Sequence, residues 1–225
     1  MIIRFLAGVL AVALCAPQTM AQKQAPRNAM PAGQVNLPYT FNVGDMQWII
    51  QRGGWFQHQG NQPLFGQAAN ITINGQGLQG NFNRGSIDPK TEELVLEGLQ
   101  AGGVTFTRRI SFNREQSYIR YIDIFNNSGN AEQQLQVMMQ TSLNFGVNAG
   151  DLIADPKQPG SSLAWIAQTG GGASVLELWA GPGTKVAPQV NWQQGNSFVQ
   201  ATYTLSIPAN GQAALAHFHG VHPSN

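Results

Sequence analysis

In LQVMMQTSLNF (135–145), apolar side chains recur at every second position: Leu135, Val137, Met139, Leu143 and Phe145, with Thr141 in step. Residues two apart share one face of a strand, so this spacing predicts a strand buried on that face. The opposite face carries Gln136, Gln140, Ser142 and Asn144, with Met138 as the exception. In VTFTRRISFN, Phe106, Ile110 and Phe112 alternate against Thr105, Thr107, Arg109 and Ser111. SYIRYIDIFNN follows, with Ile119, Tyr121 and Phe125 on one side and Ile122 and Ile124 on the other. Apolar residues on both faces predict a central strand between layers. SLAWIAQ, SVLELWA, SFVQATYTLSI and QAALAHFHG read as further strands, and Val199, Ala201, Tyr203, Leu205 and Ile207 share a face of the third.

No long stretch after Tyr39 keeps helical spacing free of Gly and Pro. NNSGN (126–130), GGG (170–172) and PANG (208–211) separate successive strands and supply the Gly or Asn that tight hairpins require. Residues 148–161, NAGDLIADPKQPGS, read as a long connection. From Met46 onward the pattern predicts about ten to twelve strands, too many for one ordinary open sheet. The expected fold is all-β, an antiparallel two-sheet β-sandwich, with a closed β-barrel as the alternative.

The first residues alter the picture of where this domain works. MIIRFLAGVLAVALCAPQTMA has a basic n-region at Arg4, an apolar run from Phe5 to Ala16 and a small residue at Ala21. This is the layout of a Sec-type signal peptide, with cleavage expected after Ala21. The apolar run is shorter than the span of about 20 residues that a membrane helix needs. The chain then divides into a leader (1–21), a proline-containing flexible lead-in (22–38) and one sandwich domain (39–225). The single cysteine, Cys15, leaves with the leader, so the mature chain is disulfide-free. A secreted protein of this size without disulfides fits a bacterial periplasm or exterior.

Charge is sparse, at 10% of residues. Polarity comes instead from 25 Gln and 18 Asn. Without Arg4, eleven basic residues balance eleven acids. This balance gives no sign of the basic patch that phosphates need, so no nucleic-acid partner is expected.

Three of the four histidines, His217, His219 and His222, fall within six residues near the end. His217 and His219 share a strand face, and side-by-side imidazoles can hold one ion. With His222 folded back and a water, they would make a catalytic-type zinc site. The simpler alternative seats Phe218 in the core and turns both histidines outward. A second candidate is QRGGWFQHQGNQPLFG (51–66), where Trp55, Phe56 and His58 sit among Gly and amides. Exposed rings stack on the apolar face of a pyranose and amides pair with its hydroxyls, a division of labour also seen in antibody loops. The alternative is that the rings anchor the segment to the core. Arg108 and Arg109 point to opposite faces of their strand and suit cross-strand ion pairs. No particular pair of carboxylates is marked for glycosidase chemistry. No G-x-S-x-G elbow, H-E-x-x-H or phosphate loop occurs.

The run VTFTRRISF…SYIRYIDIFNNSGNAEQQLQVMMQTSLN resembles strand segments of the large sandwiches attached to bacterial carbohydrate-active proteins. It spans about 40 residues and implies a fold only. The expected function is an exported, non-catalytic module that binds a carbohydrate or an envelope partner. The alternative is a polysaccharide hydrolase or lyase using the terminal histidines, with or without zinc.

Overall fold

The computed structural model describes residues 33–222 apart from 44, 81, 170–172 and 182–183. The leader, most of the lead-in and the Gly170–Gly172 turn lie outside the described residues, as do the side chains of Thr169 and His222. The described residues form two antiparallel sheets and no helix, so no helix there is long and apolar enough to cross a membrane.

One sheet has nine strands. Their spatial order is β1 (Gly33–Asn36), β7 (Arg84–Ile87), β8 (Leu94–Ala101), β9 (Val104–Asn113), β10 (Tyr118–Asn126), β17 (Gln212–His222), β14 (Ser174–Leu178), β13 (Ser162–Thr169) and β12 (Val147–Ala154). The other has eight: β15 (Gln189–Asn191), β16 (Phe198–Ile207), β11 (Gln133–Leu143), β5 (Phe65–Ile73), β4 (Phe56–Gly60), β3 (Met46–Ile50) and β2 (Tyr39–Val43), with β6 (Gln76–Gly77) paired to β5. The sheets are not closed into a barrel, and the fold is a β-sandwich.

The strongest alternations dictate the middle of the core. Leu135, Val137, Met139, Thr141 and Leu143 of β11 are all buried. Their partners across the ladder are Leu205, Tyr203, Ala201 and Val199 of β16, buried too. Burial of such side chains contributes about 1.5–3 kcal/mol each, which is why this phase is so firmly set. The long β10 pairs with β9 on one side and β17 on the other, so it is central in its sheet, but its second apolar face, Ile122 and Ile124, is half-buried on the outside rather than enclosed between layers.

Three local expectations are corrected. The connection expected at 148–161 contains β12, an edge strand with mostly exposed residues. Residues 33–36, expected within the flexible lead-in, pair with β7 as β1. From Met46 onward the described residues hold fifteen strands, more than the ten to twelve expected, because β6, β7 and β15 are only two to four residues long and β12 lies in the expected connection.

Candidate functional site

β9 places Phe106, Arg108 and Ile110 on its inward face. Arg108 is therefore a cation inside the sandwich, with no exposed surface. Its register partner on β10 is Asp123, equally buried. Arg108 Nε donates to Asp123 Oδ1 at 2.6 Å and Nη2 donates to Oδ2 at 2.8 Å. The remaining Nη1 donates to the Ala69 carbonyl of the facing sheet at 2.9 Å. A fork bonded to both carboxylate oxygens is the geometry in which a buried pair is tolerated. Arg108 also lies over the Tyr121 ring, 4.9 Å from its centroid.

The network continues across β17. His217 Nε2 lies 3.2 Å from Asp123 Oδ2. His217 Nδ1 lies 2.8 Å from His219 Nε2, and His219 Nδ1 lies 2.6 Å from Glu177 Oε2 on β14. That last contact is close, but its alignment falls short of hydrogen-bond geometry. Glu177 is the direct register partner of His219. The chain Arg108–Asp123–His217–His219–Glu177 thus runs through four adjacent strands, with every member at most 1% exposed.

Burial would raise the Asp123 pKa, but Arg108, and then His217, more than offset this and hold the carboxyl well below its usual range. Asp123 is then an acceptor, so His217 Nε2 carries the proton between them. Burial pushes His217 down to about 4 despite its bond to Asp123, so the ring is neutral near pH 7. Its Nδ1 then accepts from His219 Nε2. Burial also pushes the Tyr121 phenol up.

These histidines face the core, and Phe218 between them is half-buried on the outer face. The outward arrangement considered as the simpler alternative is reversed. Two imidazoles on one tetrahedral zinc stand about 3.3 Å apart at their ligating nitrogens, given Zn–N bonds of about 2.0–2.1 Å. The facing nitrogens here are 2.8 Å apart, a hydrogen-bond spacing. Among the described residues, no three His, Cys, Asp or Glu side chains converge on a metal-sized space.

Segment 51–66 is not an open loop. Phe56 and His58 lie on β4 and point inward, at 0% and 3% exposure. His58 sits edge-on to Trp48 with centroids 4.0 Å apart and edge-on to Phe65 at 4.9 Å. Neither of its ring nitrogens has a hydrogen-bond partner among the described residues. Burial pushes its pKa down to about 3. Phe56 packs edge-on against His219, 5.3 Å between centroids, so this strand roofs the histidine network. Trp55 alone of the three candidates reaches the surface, half-buried. The glycines before it serve the interior: a Cβ at Gly54 would come within 2.8 Å of Arg108 Cδ, at a φ of 81°.

The cross-strand pair expected of Arg108 is the one with Asp123, whereas on the outer face Arg109 and Arg120 pair with acids of the β7–β8 connection. Arg109 reaches Asp88 at 2.7 Å and Glu93 at 2.6 Å, and Arg120 also reaches Glu93. Two surface concavities open to solvent. One, of about 560 Å³, lies beside the Asn126–Gln133 turn, and another, of about 310 Å³, is lined by Gln158, Ser161, Lys185, Gln189, Thr202 and Thr204.

The chain shares its fold with the structure of heparan sulfate lyase HepC from Pedobacter heparinus, at a TM-score of 0.57 and 10% identity over 83% of this chain. It spans 35% of that lyase's length. Weaker similarity extends to the alpha-galactosidase from Lactobacillus brevis (TM-score 0.46, 9% identity, 84% of this chain and 40% of that one). The Slr1438 protein from Synechocystis sp. PCC 6803 matches at a TM-score of 0.49 and 10% identity, over 83% of this chain and 96% of that one. No protein-family model matches the sequence, and no curated protein matches it.

Proposed function

We propose that the chain is an exported, non-catalytic β-sandwich module that binds carbohydrate in the periplasm or outside the cell. One observation carries the non-catalytic reading. The groups best suited to acid–base chemistry, Asp123, Glu177, His217 and His219, are at most 1% exposed and face one another. A general acid or base must come within hydrogen-bond reach of its substrate. The carbohydrate reading rests on the fold shared with HepC, whose chain is more than twice as long.

Charge narrows the ligand class. Arg108, Arg109 and Arg120 are already engaged by Asp123, Asp88 and Glu93. The other cations among the described residues, Arg52, Arg84, Lys90, Arg114, Lys157 and Lys185, are scattered along the chain and offset by its acids, so a neutral polysaccharide suits this surface better than a sulfated one. Of the residues expected to contact it, Trp55 supplies ring surface, with Phe56 and His58 holding the strand beneath.

Native gels cast with glucomannan, laminarin, dextran or heparan sulfate test this reading. The purified protein should be retarded by at least one neutral polymer and should release no reducing ends or unsaturated products. Turnover that disappears in His217→Ala, with the fold intact, would replace this reading with the histidine-dependent hydrolase or lyase. A mature N-terminus at Gln22 in protein recovered from the periplasm or medium checks the export step.

A further inference from the structure

The sequence between Gln189 and Asn196 reads QVNWQQGN: one tryptophan among five side-chain amides. No Asp, Glu, Lys or Arg follows Lys185 anywhere in the chain. β15 ends at Asn191, and the chain turns through Trp192–Ser197 into β16. β15 is an edge strand of the eight-stranded sheet, and β12 is an edge strand of the nine-stranded sheet.

Trp192 bridges these two edges. Its ring lies 5.6 Å from that of Trp165 on β13, tilted by 51°. Beneath it is Gly150 of β12, where a Cβ would stand 2.8 Å from Trp192 Cη2. The glycine is the reason the indole can settle there. Trp192 Nε1 donates to the Asn196 carbonyl at 2.9 Å, which closes the turn on itself. The indole is thus fixed on three sides while part of it stays at the surface. Around it Asn191, Gln193, Gln194 and Asn196 are all exposed.

A ring held in place on a turn that carries no charged side chain of its own, ringed by adaptable amides, matches the demands of a sugar. The indole offers a flat apolar face to pyranose C–H groups at little cost in conformational freedom. The amides offer donors and acceptors in equal number to hydroxyls. An anionic glycan would find no cation on this turn.

We propose that the Trp192 turn between β15 and β16 is a binding platform for a neutral polysaccharide, with Trp192 as the stacking ring and Asn191, Gln193 and Gln194 as hydroxyl partners. It rests on the carbohydrate-binding reading above and names a different contact surface from Trp55.

The test is affinity electrophoresis and intrinsic tryptophan fluorescence with glucomannan, laminarin and dextran, and heparan sulfate as the anionic comparator. Variants are Trp192→Ala, the exposed-amide triple Asn191→Ala/Gln193→Ala/Gln194→Ala, and Trp55→Ala. Trp192→Ala should weaken binding about tenfold or more, the loss of one aromatic stack and its neighbours. Because Trp192 also packs on Trp165, the triple variant guards against a folding artefact. It should keep the wild-type melting temperature and still weaken binding several-fold. If binding survives both changes but is lost in Trp55→Ala, the platform is overturned and the carbohydrate reading stands. If the wild-type protein binds none of the polymers, both fall. A preference for heparan sulfate overturns the neutral-ligand assignment.

Discussion

Segments 51–66 and 189–196 look alike in sequence, each a tryptophan set among glycine and amides, yet the fold uses them in opposite ways. In the first, alternation continues past the tryptophan, so Phe56 and His58 fall on the buried face of β4. In the second, the strand stops at Asn191, and the following residues turn back with their amides in solvent. Composition does not separate the two. What separates them is whether the strand phase persists beyond the aromatic residue.

The difference can be broken from the buried side first. Phe56→Ala should cost about 3–5 kcal/mol of stability, because it empties the space between Trp48, Phe65 and His219. Urea denaturation measures it, and a loss below 1 kcal/mol by that fit, or about the level of a surface change, would mean that β4 does not roof the core. Gly54→Ala comes next, at about 2–3 kcal/mol, since the new methyl meets Arg108 and Leu96 at a left-handed backbone position. The same substitution at Gly195, also at positive φ but with open space around it, should cost less.

A pH titration sharpens the contrast. His58 and His217 are held neutral, at about 3 and about 4, below the ordinary value of 6.5. The unfolded chain therefore takes up protons first as pH falls. Their contribution is complete above pH 6.5 and is lost progressively as pH falls, down to about 4 for His217 and about 3 for His58, at up to about 1.4 kcal/mol per pH unit for each ring. His58→Phe should remove one proton's worth of that slope and leave the slope of His217. Equal slopes in the two proteins would show that His58 is not buried neutral. The smallest effect belongs to the surface segment: the triple amide variant at 191, 193 and 194 should change stability by less than about 0.5 kcal/mol.

Much of the fold could be read from alternation alone. β11 and β16 were legible because each holds its phase for about ten residues and turns flank both. β12 was not, because an exposed edge strand leaves no apolar stripe to see. The buried network was legible only in halves. Its ring-bearing pair was visible in HFH, but Asp123 lies 94 residues from His217 in sequence. A usable signal was present all the same. Arg108, Asp123, Glu177, His217 and His219 each sit in phase with the apolar set of their own strand: Phe106 and Ile110, Tyr121 and Phe125, Val175 with Trp179 just past the strand end, and Leu215. A charged residue in phase with a buried face announces an interior partner, because its burial alone would be too costly.

The bond from Arg108 to the Ala69 carbonyl has a mechanical consequence. Ala69 is a buried residue with φ of 56° on β5, beside a shift in the β5–β11 register. Its carbonyl is met by a guanidinium already clamped to Asp123 in the opposite layer. Displacing one layer along the other by a single residue, about 3.4 Å, would break a 2.9 Å contact and strand a cation in the interior. Greasy faces alone tolerate such slippage. A keyed joint does not, and this one fixes how the two layers align.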